Sequence, residues 1–266
     1  MSGTLGKSLQ IAMLIALYVF LYAPIAYIAY VSFQEDSVWP FPPGFALEHY
    51  LSLFELRDFH SALWNSLAIA LGTAALSSFF ATMASIAVLR YPLRLRAVAA
   101  ALYLAPLFIA HVLIGISSLM FYRTVLGIPG NLFSAVLANT AYATAFAFLV
   151  LLAQLLRYDW RLDEAAMVFG APPRRTFIEV TFPLIWPAVL GAAIVSFLLA
   201  FNNLEVTFYQ VGAVPTLPTL AWGELRHGVS EELYALTSII NAAVFLLLIA
   251  LYCLLRAGWL RLDYRA

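Results

Sequence analysis

Residues 158–183 read YDWRLDEAAMVFGAPPRRTFIEVTFP, a polar and patterned stretch set between two long apolar ones. Asp159 can cap a short helix, because a carboxylate before the first turn accepts from an otherwise unpaired amide. Leu162, Ala165, Ala166 and Phe169 then fall at i, i+3, i+4 and i+7, one apolar stripe along that helix. Gly170 can take a positive φ and end it. Pro172 or Pro173 suits the first turn of a second helix. Phe177, Ile178 and Val180 follow on that helix, and Pro183 is expected to end the unit. The stretch therefore predicts two short helices joined at a glycine. It is too long and too patterned for a plain connector. The apolar stripe must bury itself against the chain's own helix ends or against a partner.

On either side lie residues 133–157 and 184–205, nearly free of charge and long enough to span a bilayer, which takes about 20 apolar residues. Four more segments qualify: 9–33, 62–89, 97–122 and 233–256. The 266 residues are 64% hydrophobic and 11% charged, and 14 basic with 14 acidic residues cannot cover a water-facing surface on a chain of this length. Lipid is the expected solvent, and the zero net charge argues against nucleic acid as a partner. The 9–33 segment is too long for a cleaved signal, whose apolar region runs about 7–15 residues, and reads as a first span anchored by Lys7.

Basic residues orient the spans. With the N-terminus inside, the inner segments hold eleven of the fourteen: Lys7, Arg90, Arg94, Arg96, Arg157, Arg161, Arg174, Arg175, Arg256, Arg261 and Arg265. Arg57, Arg123 and Arg226 fall outside. Both termini and the 158–183 loop are thus expected in the cytoplasm. Outside, residues 34–61 carry Trp39, Phe41 and several prolines suited to interfacial anchoring. Residues 206–232, with Pro215, Pro218 and Gly223, read as a re-entrant or hairpin-like excursion. Ala70, Ala74, Ser78, Ala81 and Ser85 recur along the second span at spacings of three or four, which permits close helix approach, including at a subunit interface.

The loop resembles the signature of bacterial ABC importer permeases: Glu-Ala-Ala, three residues, Gly, nine residues, Ile, one residue, Leu-Pro. Glu164, Ala165, Ala166, Gly170 and Pro183 match, while Val180 and Phe182 replace one apolar residue by another. Leu21-Tyr22-Ala23-Pro24, Val31-Ser32-Phe33, Asn65-Ser66-Leu67, Tyr158-Asp159, Ser196-Phe197 and Gly228-Val229-Ser230 extend the resemblance along nearly the whole chain. They place it near the spermidine/putrescine permeases. Where that subgroup carries an Asp pair after the Ser-Phe of the fifth span, this chain has Asn202-Asn203 with Glu205 close by. Permeases for iron, thiamine, phosphonates and sulfate share much of the scaffold.

The resemblance implies an all-α membrane protein with six transmembrane helices in the type I importer permease fold. It implies one permease domain over 1–266, with about 60–260 as its core and 158–183 as a cytoplasmic coupling loop. It implies a multi-pass place in the bacterial inner membrane. The loop would dock into a cytoplasmic ATPase dimer through Asp163, Glu164, Ala165, Ala166, Gly170 and Pro183, with Glu164 pairing with an ATPase arginine or holding the loop through Arg161 or Arg174. A second, related permease subunit and a soluble periplasmic or lipid-anchored binding protein would complete the importer.

Asn202, Asn203 and Glu205 lie toward the outer end of the fifth span, as a cheap interfacial terminus or as the cavity or gate that meets cargo. His111 is expected near the middle of the third span, lining the path or donating to a carbonyl freed by Pro106. Asn241 in the last span suits interhelical hydrogen bonding.

The chain is not expected to be an enzyme. Gly6-Lys7-Ser8 resembles the end of a phosphate loop, but Met1 stands where its first glycine is required. Ser117, Ser118 and His111 share one segment without a catalytic signature. His49, His60 and His227 have no ligand spacing, so no metal or other cofactor is expected, and Cys253 is a packing residue. An ion-driven secondary transporter is the rival reading, disfavoured by the lack of an acidic residue deep in any span.

Overall fold

The computed structural model describes residues 2–35, 44–55, 57–91, 94–228 and 230–256. The Trp39–Pro43 cluster, Val229, Arg261 and Arg265 lie outside them. Among the described residues every regular element is helical: α1 (Ser2–Val31), α2 (Glu48–Glu55), α3 (Arg57–Arg90), α4 (Arg96–Leu104), α5 (His111–Thr124), α6 (Leu132–Leu155), α7 (Arg161–Val168), α8 (Pro173–Thr176), α9 (Phe182–Phe201), α10 (Leu204–Val211), α11 (Leu217–His227) and α12 (Glu231–Arg256). Five helical stretches are long and apolar enough to cross a membrane, and a sixth if the bent pair Arg96–Phe108 and His111–Thr124 counts as one span.

That bent pair corrects the reading of 97–122 as one continuous span. The chain turns by 106° at the break. Pro106 has no amide hydrogen to donate and its ring crowds the preceding turn. The helix therefore tightens into a 3₁₀ turn over Ala105–Phe108, passes through extended backbone at Ile109 and Ala110, and restarts at His111. The opposite correction applies at Pro183. Helix runs unbroken from Pro173 to Phe201, so the second helix of the 158–183 loop is continuous with the fifth span. A π-helical turn over Phe177–Thr181 widens the backbone just before Pro183, which stands in the first turn of α9.

The chain divides into two compact units. One comprises Met1–His60 with Leu220–Leu251. Within it, Ser32 lies 2.7 Å from the Tyr50 hydroxyl and 3.3 Å from Ser238. Phe33 stacks on Phe45 and Tyr50. Between α1 and α12 lies a groove of about 520 Å³ lined by Tyr22, Ala29, Ser238, Asn241 and Phe245 among others. Asn241 faces that groove and makes no hydrogen bond among the described residues, so it does not join α12 to α1 as expected.

The other unit comprises Ser61–Thr219 with Tyr252–Ala266 and holds α3 to α10. Helix α6 is its centre. Asn131 caps it, accepting from the Ser134 amide at 2.9 Å while Ser134 Oγ accepts from the Asn131 amide at 3.0 Å. Phe148, Leu151 and Leu155 of α6 pack against Ala81, Ala84 and Val88 of α3 and against Ile185, Ala188 and Ala192 of α9. The alanines let the backbones approach so closely that each large α6 side chain is fully covered. Ala70, Ala74, Ser78, Ala81 and Ser85 are all buried by the chain itself, so this small-residue row packs internally and is not a subunit interface. The excursion at 206–232 is built from α10 and α11, two short helices joined through Gly212 at φ +59°.

Ala81→Leu should overpack the α3–α6–α9 core and cost about 1–3 kcal/mol. Leu71→Ala, on the exposed side of the same helix, should leave stability within about 0.5 kcal/mol. Thermal unfolding of the detergent-solubilised chain compares the two.

Candidate functional site

In α7 the sequence pattern is inverted by the fold. The apolar stripe points away from the chain: Leu162 and Ala165 are exposed and Phe169 is 92% exposed, with Val168 beside it at 85%. Ala166 is half-buried. The residue facing inward is Asp163, 1% exposed and the only buried residue of α7. Its Oδ1 accepts from the Tyr158 hydroxyl at 2.7 Å and from Thr181 Oγ1 at 3.0 Å. Its Oδ2 lies 2.8 Å from an Arg90 guanidinium nitrogen. The Arg90 guanidinium in turn lies over the Trp160 ring, 5.6 Å from its centre. The carboxylate, an acceptor only, thus meets three donors, with the single Thr181 hydroxyl placed between its two oxygens.

Each partner is placed by a different element. Arg90 ends α3, where a cation also suits the helix's negative end. Tyr158 and Trp160 pack edge to face after α6. Thr181 closes the π turn before α9. Burial, together with the hydrogen bond to Asp163, pushes the Tyr158 phenol above its ordinary value, so it remains a neutral donor. The residue before α7 is Trp160 and not Asp159, whose carboxylate accepts from the Arg161 amide at 3.0 Å from one position earlier. Gly170 has φ +89° and open space around it, so its role is the turn itself.

Asp163 is thereby corrected from an outward contact residue to an internal anchor. Glu164 is exposed and forms no ion pair with Arg161 or Arg174 among the described residues, so the loop is not held through it. Arg175 pairs instead with Glu179 one turn on, at 2.9 Å on the exposed surface. Pro183 is exposed. Arg90, Tyr158, Trp160 and Thr181 were not singled out as site residues by the sequence pattern. Their one visible signal was a carboxylate on the polar side of a helix whose apolar side was expected to be the buried one.

His111, Asn202, Asn203 and Glu205, read separately from the sequence, lie around one cavity. His111 Nδ1 lies 3.5 Å from Glu205 Oε2, and its ring meets Tyr142 edge to face at 4.2 Å. His111, Tyr142, Leu198, Leu199, Asn202, Asn203, Leu204 and Glu205 line a cavity of about 510 Å³. His111 stands at the start of α5 and neither deep in a straight span nor bonded to a carbonyl beside Pro106. Helix α9 ends at Phe201, and Asn203 caps a new helix, accepting from the Val206 amide at 3.0 Å. Asn202 donates to the Leu198 carbonyl at 3.2 Å. The Asn pair thus shapes a helix break, which amides do well through local backbone bonds.

Helix α10 is fixed behind the cavity by buried amides. Asn139 donates to Thr207 at 3.0 Å, and Gln210 donates to the Gly115 carbonyl at 3.0 Å. A Cβ on Gly115 would stand 2.9 Å from Tyr209 and 3.1 Å from the Glu205 carbonyl, so only glycine permits this crossing. Among the described residues no group of three metal-ligating side chains occurs.

Arg90→Ala would leave the Asp163 carboxylate buried without its cation and should cost about 3–5 kcal/mol. Tyr158→Phe removes one hydrogen bond and should cost about 0.5–1.5 kcal/mol. The Tyr158 contribution is fully present below the phenol's ordinary value near 10 and declines as pH rises past it, because the unfolded chain then loses a proton that the folded chain keeps. The gap in thermal stability between the native chain and Tyr158→Phe should narrow above that pH.

No family model matches the chain. Two curated relatives are similar over nearly their full lengths. The putrescine transport system permease protein PotI of Escherichia coli K12 is 29% identical over 257 residues, covering 93% of this chain and 91% of its own. The spermidine/putrescine transport system permease protein PotC of the same organism is 24% identical, covering 92% and 93%. A putative 2-aminoethylphosphonate transport system permease protein, PhnV of Salmonella typhimurium, is 27% identical, covering 88% of each chain. Among solved structures, the bacterial alginate ABC transporter in complex with an alginate-bound periplasmic protein contains a chain that matches with a TM-score of 0.70 at 17% identity, over 97% of this chain and 95% of that one. This multi-pass membrane protein is thus similar in sequence to polyamine-system permeases along nearly its whole length, and it shares the fold of an ABC importer chain.

Proposed function

We propose that the chain is the inner-membrane permease subunit of an importer whose ATP is hydrolysed by a separate cytoplasmic ATPase dimer gripping residues 158–183. The observation that carries this is the inverted α7: Asp163 is bolted inward while Leu162, Val168 and Phe169 stand free. Apolar side chains on a surface helix, next to open space at Gly170, suit insertion into a groove on a partner. Glu164, Ala165, Ala166 and Gly170 would then shape the contact, with Pro183 at the continuous base of α9.

The positive-inside bias puts both termini and this loop in the cytoplasm. The contact of Arg90 with Asp163 supports that orientation, since the end of α3 and the 158–183 loop must share one side. The whole chain acts as one permease domain, with about 60–260 as the transport core. A second permease subunit completes the pore, and a periplasmic binding protein delivers cargo to the outer loops. The alginate transporter bound to its periplasmic protein supports the last partner by likeness of fold.

The cargo is a small polyamine-like cation. PotI and PotC are named for putrescine and spermidine. The His111–Tyr142–Glu205 cavity offers a carboxylate beside an aromatic ring, a pair that suits an ammonium group. The phosphonate-system relative motivates a second cargo reading, an aminophosphonate, for which His111 would supply the cationic side.

Co-expressed with its ATPase, the native chain should retain the ATPase through purification in mild detergent. Phe169→Asp and Gly170→Pro should each release it, the second because proline cannot adopt φ +89°. Binding unaffected by both changes would count against the docking role. In proteoliposomes holding the full complex, Glu205→Gln should lower putrescine uptake about tenfold, the equivalent of ~1.4 kcal/mol of lost charge contact, with ATPase retention unchanged. Undiminished putrescine uptake, with inhibition by 2-aminoethylphosphonate, would favour the second cargo.

A further inference from the structure

We propose that the Arg90–Asp163 pair is the mechanical link through which displacement of α7 reaches the span α3, making both residues positioning residues for energy coupling and not contacts to the ATPase. This rests on the permease reading above.

The geometry leads there in steps. The 158–183 loop is tied covalently to two spans only: α6 at its start and, through an unbroken helix, α9 at its end. Helix α3 joins neither by chain, and 72 residues separate Arg90 from Asp163. Yet α3 shares the same alanine-lined core with α6 and α9, so a lever acting on two of the three would shear that packing unless α3 moved too. The contact that can carry α3 along is the ionic one. Helix α7 is only weakly anchored by apolar contact, since Ala166 and Met167 are half-buried and Asp163 is its sole fully buried residue. Its orientation therefore depends on one carboxylate, held by Arg90 at 2.8 Å from α3, by Tyr158 at 2.7 Å from the end of α6, and by Thr181 at 3.0 Å from the π turn before α9. One buried group thus receives a bond from each of the three spans. Arg90 is also confined sideways by the Trp160 ring, which makes the link stiff as well as strong. A pair whose carboxylate is buried and whose guanidinium is only partly exposed has fewer alternative geometries than an exposed pair such as Arg175–Glu179, which would simply slide.

A role in transmission differs from a role in holding the fold by what the variants uncouple. The test uses the complex with its ATPase in lipid, in a Cys253→Ser background, with spin labels on Arg161→Cys at the start of α7 and Met83→Cys on the exposed side of α3. With the pair intact, the distance between the labels should stay in one narrow population with and without a non-hydrolysable ATP analogue. In Arg90→Gln and in Asp163→Asn it should broaden when the analogue binds. ATP hydrolysis by these complexes should stay within about twofold of native while putrescine uptake per ATP falls about tenfold. Arg90→Lys, which keeps the charge, should restore most of the ratio.

An unchanged distance distribution in both variants would overturn the proposal. So would uptake and hydrolysis falling in parallel in Arg90→Gln, Asp163→Asn and Arg90→Lys alike, since that is the mark of a purely structural pair. Failure of the permease reading itself is seen separately, as absence of the ATPase from the purified native chain. The same label pair on the chain alone then decides the link: broadening in Arg90→Gln without any nucleotide supports it, and an unaltered distribution removes it.

Discussion

A single buried carboxylate organises one end of the α3–α6–α9 core. Asp163 is removed from water and yet accepts from a guanidinium, a phenol and a threonine hydroxyl. In an interior of low polarity such contacts are strong, and their loss is costly because the charge cannot be re-solvated. The carboxylate therefore does two things at once. It turns α7 so that its apolar side faces outward, and it gathers the ends of α3, α6 and the π turn before α9 around one point. A helix of eight residues has little stability of its own. Pinned in this way, it becomes a rigid presentation surface.

The spans behind that pin are arranged to move together. The α3–α6–α9 core is built from alanines against Phe148, Leu151 and Leu155, which leaves few voids and little compliance. The continuous helix from Pro173 to Phe201 has the same effect, because no hinge separates the loop from the span it feeds. Compliance is concentrated elsewhere. The 106° break before His111 and the second break at Asn202-Asn203 both border the cavity that holds His111, Tyr142 and Glu205. Stiff helices at one end and broken helices lining a polar cavity at the other suit a machine in which force enters at the loop and access changes at the cavity. Irregular backbone at such a place is tolerated because it lines a cavity and is stabilised by buried amides such as Asn139 and Gln210.

The departure from the polyamine-type Asp pair gains a physical meaning in this arrangement. Asn203 is a helix cap and Asn202 bonds backward into α9, so neither presents a free charge. Glu205, in the first turn of α10, supplies the one carboxylate of the cavity, where it also favours the positive end of that helix. Negative character at the site is retained but moved by two positions and placed opposite His111.

Much of this protein was legible in the order of its residues. Composition and apolar run lengths dictate a membrane protein, because no other solvent accepts so much uncharged surface. The proline and glycine positions in 158–183 dictate a two-helix elbow, since Gly170 must turn and the prolines must sit where no donor is missed. Four members of the cavity, His111, Asn202, Asn203 and Glu205, were legible as polar residues in apolar surroundings, though for the last three a cheap interfacial terminus was an open reading. What periodicity could not decide was which side of α7 faces the chain. An apolar stripe is the ordinary core-facing side, and only the meeting of Arg90, Tyr158 and Thr181 in space makes the polar side the buried one. Nor could hydropathy show that the third span is broken while the fifth is not, because it averages over Pro106 and Pro183 alike. The distinction lies in backbone geometry: at Pro106 the helix gives way to a 3₁₀ turn and extended residues, whereas a π turn precedes Pro183 and the helix continues past both it and Pro187.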